Sequence, residues 1–196
     1  MREQRKRETA RALIDAARRL TSERGFAGFT IEELCTEIGV SRRTFFNYFE
    51  SKENAVFGFT VDDSREKALQ ERFAAQRGDL LDDFVEMMIR RFEIFNPIED
   101  TAAMFAVIEQ EPRLLKAAFT QLRRNEQRDM DLIVRREGDG ADVGLRAEVV
   151  VHTVGALARQ SMDQLLRGHP PESFRDLLTR RIEIARSAFT PSQKAD

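Results

Sequence analysis

Residues 30–52, TIEELCTEIGVSRRTFFNYFESK, leave the chain less freedom than any other stretch. Thr30 and Glu33 stand three apart ahead of an apolar run. That is the spacing of a capping box, in which two side chains satisfy backbone donors left open at a helix start. Ile31, Leu34, Cys35 and Ile38 follow at i, i+3, i+4 and i+7, one face of a short helix. Gly39 ends it, because glycine takes a positive φ without a Cβ penalty. Ser41 caps a second helix, which turns Phe45 and Phe49, four apart, toward a core. Arg42, Arg43, Thr44, Asn47 and Tyr48 are left to project outward. Two short helices joined by a Gly-containing turn make a helix-turn-helix, and the second helix of such a pair is the one that enters a DNA major groove.

The longer segment FTIEELCTEIGVSRRTFFNYFESKENAV resembles the TetR family of one-component transcriptional regulators. A Thr opens the second helix, Ile-Gly-Val-Ser forms the turn, and a Phe, one residue and Ser-Lys-Glu follow. The resemblance covers residues 11–56 closely; beyond them the chain matches only as an all-helical pattern of suitable length. It implies an all-α protein of about nine helices. Residues 1–53 would be a three-helix DNA-binding domain, residues 54–190 a helical ligand-binding and dimerisation domain, and residues 191–196 a disordered tail. The DNA contacts it implies fall on Thr30, Arg42, Arg43, Thr44, Phe46, Asn47, Tyr48 and Lys52. Lys52 stands in the first turn of a helix capped by Ser51, where a cation opposes the helix dipole; the resemblance places it at the DNA backbone. The family usually carries Tyr where this chain has Phe46, and that Tyr commonly contacts a phosphate. Phe46 has no hydroxyl for this contact and is left to stack on sugar or touch a thymine methyl. Arg43 stands where a small residue is frequent, so it adds a base or phosphate contact.

Charge is distributed to match. The net charge of −2 would not by itself suggest nucleic acid. Residues 1–52, however, carry 11 Lys and Arg against 8 Asp and Glu, while residues 53–196 carry 21 against 26. A basic head on an acidic body fits DNA contact confined to one end. Cys35 is the only cysteine, which excludes a disulfide framework and a cysteine zinc site and reads as a small core residue rather than a redox sensor. Neither a signal peptide nor an apolar run of about 18 residues is present, so a cytoplasmic protein with no membrane partner is expected.

Along the chain, Arg2, Arg5, Lys6, Arg7 and Arg11 form a basic start with two open readings: a solvated helix end, or an arm that touches phosphates or a minor groove. Leu13, Ile14, Ala17 and Leu20 give the first helix its buried stripe, Gly25 stops it, and Phe26 and Phe29 plug the small core. A helix from Ser51 past Phe57 and Phe59 to about Ala75 links the two domains. Residues 80–95 are apolar on more than one face, which predicts a central helix broken by Asn96-Pro97. Helices are also expected around Met104 and Ile108 and over residues 112–136, 143–166 and 174–189.

The five methionines after Met1 all lie between residues 87 and 162, among many Phe. Such residues build an ordinary core, or an adaptable apolar cavity; the resemblance implies the cavity, with Met88, Phe92, Met104, Phe105 and Phe119 as its expected lining. His152 reads as a core or interface residue and His169 falls in the 168–171 loop. No metal-ligating, cofactor-binding or nucleophilic constellation is evident, the carboxylates look scattered over solvent faces, and neither an enzyme nor a cofactor is expected.

One short helix reads too few base pairs to discriminate, so a two-fold homodimer with recognition helices about 34–36 Å apart is expected. Val154, Leu157, Leu178 and Ile182 on the last two helices are its expected interface. The function that follows is a repressor on double-stranded operator DNA, released when a small, largely apolar effector favours a state that no longer fits the groove spacing. A DNA-binding activator without a physiological ligand and a helical protein-interaction adaptor are the alternatives.

Overall fold

The computed structural model describes residues 2–61, 64–95, 107–108, 111–167 and 172–189. Nine helices are defined among them, and no strand: α1 Arg2–Arg24, α2 Ile31–Ile38, α3 Arg42–Phe46, α4 Lys52–Phe57, α5 Ser64–Ala75, α6 Leu80–Phe95, α7 Pro112–Glu137, α8 Val143–Arg167 and α9 Phe174–Phe189. The all-α class expected from the sequence is the class observed. The expected disordered tail, His169 with its loop, and the helix expected around Met104 lie outside the described residues, apart from Val107 and Ile108.

The chain divides into two compact units. The first holds residues 1–64, with α1–α4, and residues 99–123; the second holds residues 65–98 and 124–196. A division after residue 53 is therefore too early. Ala55, Val56 and Phe57 are buried in the first core beside Leu13, Leu20, Leu34, Phe45 and Phe49, and Val107, Ile108 and Leu114 join them from more than 40 residues further on. The single helix expected from Ser51 to Ala75 is also two. Gly58 ends α4 at φ 81°, its N–H returning to Asn54 and Ala55 carbonyls, and α5 starts afresh at Ser64. Glycine in the left-handed region is a common helix stop.

In the second unit α6 is central, as its wide apolar arc predicts: Phe84, Val85, Met87, Ile89 and Phe92 are all buried. Helix α9 packs against both α6 and α8. Here the expected interface needs correcting. Val154, Leu178 and Ile182 are 0, 0 and 5% exposed, and Leu157 packs against the same core. The apolar stripe of the last two helices fills this chain's own interior, and the exposed apolar residues of α8 and α9 are Leu145, Val149 and Ile184. His152 is exposed, not a core residue.

Two charged clusters cross this unit, contrary to the expectation of scattered carboxylates. Arg91 donates Nε and Nη2 to Glu66, and Nη1 and Nη2 to Asp129. Burial pulls the Arg91 guanidinium down, but Asp129 and Glu66 more than compensate and hold it above its ordinary value. Arg136, with a side chain 2% exposed, pairs with Asp83, donates to the carbonyls of Gln76 and Gly78, and lies against the Phe73 ring. Nothing in one helix's periodicity reports that a charge 38 or 53 positions away will meet it.

Candidate nucleic-acid interface

Helices α2 and α3 form as their caps dictate. The Thr30 hydroxyl accepts the Glu33 N–H at 3.1 Å, and the Glu33 carboxylate takes the Thr30 N–H at 2.7 Å. The bond from the Thr30 N–H, with one from its hydroxyl, holds the Glu33 carboxyl below its usual range. Gly39 closes α2 at φ 73°, its N–H on the Cys35 and Thr36 carbonyls. Ser41 caps α3 through the Thr44 N–H at 3.0 Å, and its hydroxyl meets that of Thr44.

Helix α3 then sorts its side chains into two sets. Phe45 and Phe49 are fully buried, with ring centroids 5.6 Å apart. Arg42, Arg43, Phe46 and Asn47 are exposed, while Thr44 and Tyr48 are half-buried. The helix proper is only one turn and a half long and ends with Asn47 and Tyr48 in a turn, the Tyr48 carbonyl accepting the Val61 N–H.

Arg42 is held on two sides. Its Nη1 pairs with Glu32 of α2 at 2.5 Å, and its guanidinium lies 5.5 Å from the centre of the Phe46 ring. Phe46, 41% exposed, thus offers the arginine a π face, and it packs edge-on to Phe45. Glu32 was not among the residues singled out from the sequence. The Arg43 side chain is exposed and makes no hydrogen bond or ion pair with any described residue. A guanidinium that reaches solvent at the start of the second helix suits bidentate recognition of guanine or a clamp on phosphate.

Lys52 departs from the backbone-contact role that resemblance suggests. Its Nζ donates to the carbonyls of Phe26 and Phe29 at 2.5 and 2.6 Å, and sits 4.4 and 4.1 Å from their ring centres. Burial pulls its pKa down, while Glu53, Glu111 and Glu33 act the other way. Two of its three donors are therefore spent on the 3-10 turn Phe26–Gly28 and the residue after it. A cation in the first turn of α4 is tolerated because carbonyls and aromatic faces surround it, which makes Lys52 a clamp on the turn that leads into Thr30.

The basic start of the chain is part of α1 from Arg2 onward, with Arg5 and Arg7 exposed and Arg11 paired to Asp15 at 3.2 Å. Cys35 is buried, and burial pushes its thiol up, as a core residue requires.

Of the expected ligand residues, Met88 and Phe92 lie at the second core. Phe92 stacks on Phe174 at 4.1 Å inside the second core, and Met88 packs beside that core with its sulfur 3.3 Å from Arg91 Nη1. Phe119 is 60% exposed on α7, on an open groove with Leu115 and Arg123. Met104 and Phe105 lie outside the described residues. Among the described residues no group of His, Cys, Asp or Glu is placed to hold a metal ion, and no helix is long and apolar enough to cross a membrane.

The fold aligns with a crystal structure described as a TetR-family transcriptional regulator from Mesorhizobium loti MAFF303099, at 18% identity and a TM-score of 0.49, over 94% of this chain and 96% of that one. No curated protein matches the sequence. Residues 13–55 match the family model for bacterial regulatory proteins of the tetR family, the same span that carries the capped helices and their exposed arginines. Over this segment the chain is similar to the tetR family's regulatory proteins, and its capped helices α2 and α3 are the helix-turn-helix that the match spans.

Proposed function

We propose that the protein is a repressor that binds double-stranded operator DNA as a homodimer and leaves it when a small effector binds the second unit. The observation that carries the DNA-binding part is the sorting of α3: Phe45 and Phe49 are buried, and Arg42, Arg43, Phe46 and Asn47 are exposed. Arg42 and Arg43 are suited to guanine, Asn47 to adenine, and the open N-terminus of α2 after Thr30 to a phosphate. Selection of bound DNA from a random pool tests this reading. Two half-sites related by a dyad and spaced by about one helical turn are expected; a pool that shows no enrichment would remove it.

The homodimer rests on a different face from the one the apolar stripes suggest. Leu145 and Val149, four apart on α8, are 59 and 56% exposed, and Ile184 on α9 is 59% exposed. Large apolar side chains left outside on the two last helices are suited to a second copy of the same surface. Val149→Glu combined with Ile184→Glu should yield a folded monomer with poor operator affinity. Light scattering that still reports a dimer places the interface elsewhere.

The effector is proposed to be largely apolar, because Met88, Met130 and Met162 pack half-buried around the second core and thioethers adapt to varied apolar guests. Apolar compounds should raise the melting temperature by mass action. Hits confined to sugars or metal ions would end this part of the proposal.

A further inference from the structure

The turn between α1 and α2 is held by two residues that are far apart in the chain. Gly25 ends α1 at φ 73°, which leaves the Phe26 N–H without a helical acceptor. Phe26 itself is 5% exposed, so that donor needs a partner. Glu111 provides it: its Oε1 accepts the Phe26 N–H at 2.5 Å, across 85 positions of sequence. The same oxygen lies 3.1 Å from where a Cβ on Gly25 would stand, so the carboxylate occupies the space that glycine leaves open.

Glu111 is not free to move alone. Its carbonyl accepts the Leu115 N–H and so starts α7, while its own N–H bonds to the Ile108 carbonyl. Val107, Ile108 and Leu114 on either side are 9, 6 and 0% exposed in the core of the first unit. Its side chain turns away from the open N–H groups of its own helix and toward the earlier turn. In the same turn Lys52 takes the carbonyls of Phe26 and Phe29. The next residue, Thr30, opens α2 through its capping box with Glu33. A continuous run of polar contacts thus leads from Glu111 through residues 26–29 to the helix start expected to meet phosphate.

We propose that Glu111 is a positioning residue for DNA binding: together with the Lys52 clamp, it sets the turn that presents Thr30 and α2 to the DNA backbone. The proposal rests on the DNA-binding reading of the first unit. It gives a residue outside the helix-turn-helix a direct hold on that motif. Glu111 does not touch DNA in this role, so it acts on affinity without reading sequence and without adding or removing a phosphate contact.

The test uses the full-length protein and the operator that the wild-type chain selects. Glu111→Ala should weaken binding about tenfold on every operator variant, the scale of one unsatisfied buried donor. The slope of log K against log salt should not change, since no counterion is released at this site. Glu111→Gln, which keeps an oxygen acceptor, should restore affinity to within about twofold. Hydrogen exchange of the Phe26 amide should accelerate in the Ala variant and recover in the Gln variant. If Glu111→Ala does not fold, Glu111→Asp, one methylene shorter, supplies the same contrast. Wild-type affinity in the Ala or Asp variant, or a loss that Gln does not rescue, overturns the proposal. A wild-type chain that selects no DNA overturns instead the functional reading beneath it, so the two failures are distinct.

Discussion

The two units are held together by different kinds of contact. In the first, polar side chains mostly work at short range: Thr30 with Glu33, Ser41 with Thr44, Ser51 with Asn54, each three residues apart. The core beneath them is apolar and aromatic. In the second, charged side chains tie one helix to another: Glu66 of α5 and Asp129 of α7 to Arg91 of α6, Asp83 of α6 to Arg136 of α7, and Glu86 of α6 to Arg175 of α9. A cap is written in the sequence beside the helix it caps. A bridge between helices is written nowhere until the fold brings its partners together.

The contrast can be broken most forcefully at Arg136. Asp83→Ala removes the carboxylate paired with Arg136 Nη2 and leaves a buried guanidinium whose Nη1 already lacks a hydrogen-bond partner among the described residues. Removing one partner of a buried pair costs about 3–5 kcal/mol. Denaturant unfolding should show a loss of this size, whereas Asp15→Ala at the exposed Arg11 pair should cost less than about 1 kcal/mol. Equal losses at both sites would erase the distinction between the two units.

A smaller effect separates two roles for Lys52. If it is a clamp, Lys52→Ala leaves the Phe26 and Phe29 carbonyls without their donor and weakens DNA binding through the turn. The salt slope then stays as it was. A slope that falls by about 0.9 per protomer would restore the phosphate contact that the family resemblance implies. Arg43 makes the opposite case. Arg43→Ala should relax discrimination at one half-site position by about 1–3 kcal/mol, measured on single-base operator variants. A uniform loss on every variant makes Arg43 a backbone clamp.

These cases mark how far the sequence could be read. The caps at Thr30, Ser41 and Ser51, the stop at Gly39 and the burial of Phe45 and Phe49 all follow from local spacing, and all stand in the structure. The bounds of α6 and α9 were legible for the same reason, since apolar periodicity marks a helix wherever it packs. What the inner face packs against was not legible. An apolar stripe on α9 looks the same whether it meets a second copy or its own α6, so Leu178 and Ile182 were assigned to the wrong neighbour. Lys52 and Glu111 carry no signal for their shared turn, because 59 positions of chain separate them. Gly58 was visible as a glycine but not as a stop, because the apolar residues on either side of it continue a helical pattern.

The finest test of the comparison uses acid. Glu33 in the first unit and Glu86 in the second both have carboxyls held below the ordinary range, Glu33 by the backbone N–H and hydroxyl of Thr30, Glu86 by Arg175 and then Arg90. A carboxylate with a depressed pKa contributes stability above its unfolded value, about 4.5 for Glu33, and loses it as pH falls through the lower folded value. Both units should therefore weaken below pH about 4.5, but through different bonds. Glu33→Gln separates them, because glutamine keeps a capping-box side chain and removes its titration. Amide exchange at Glu33 reads the cap locally, free of events in the second unit. At neutral pH this amide should exchange slightly faster in the Gln variant. As the wild-type carboxylate protonates the two rates should converge, while protection in α6 falls off equally in both proteins. A gap that persists in acid would mean that the cap does not depend on the Glu33 charge, and the short-range bonds of the first unit would then be insensitive to the protonation that loosens the bridges of the second.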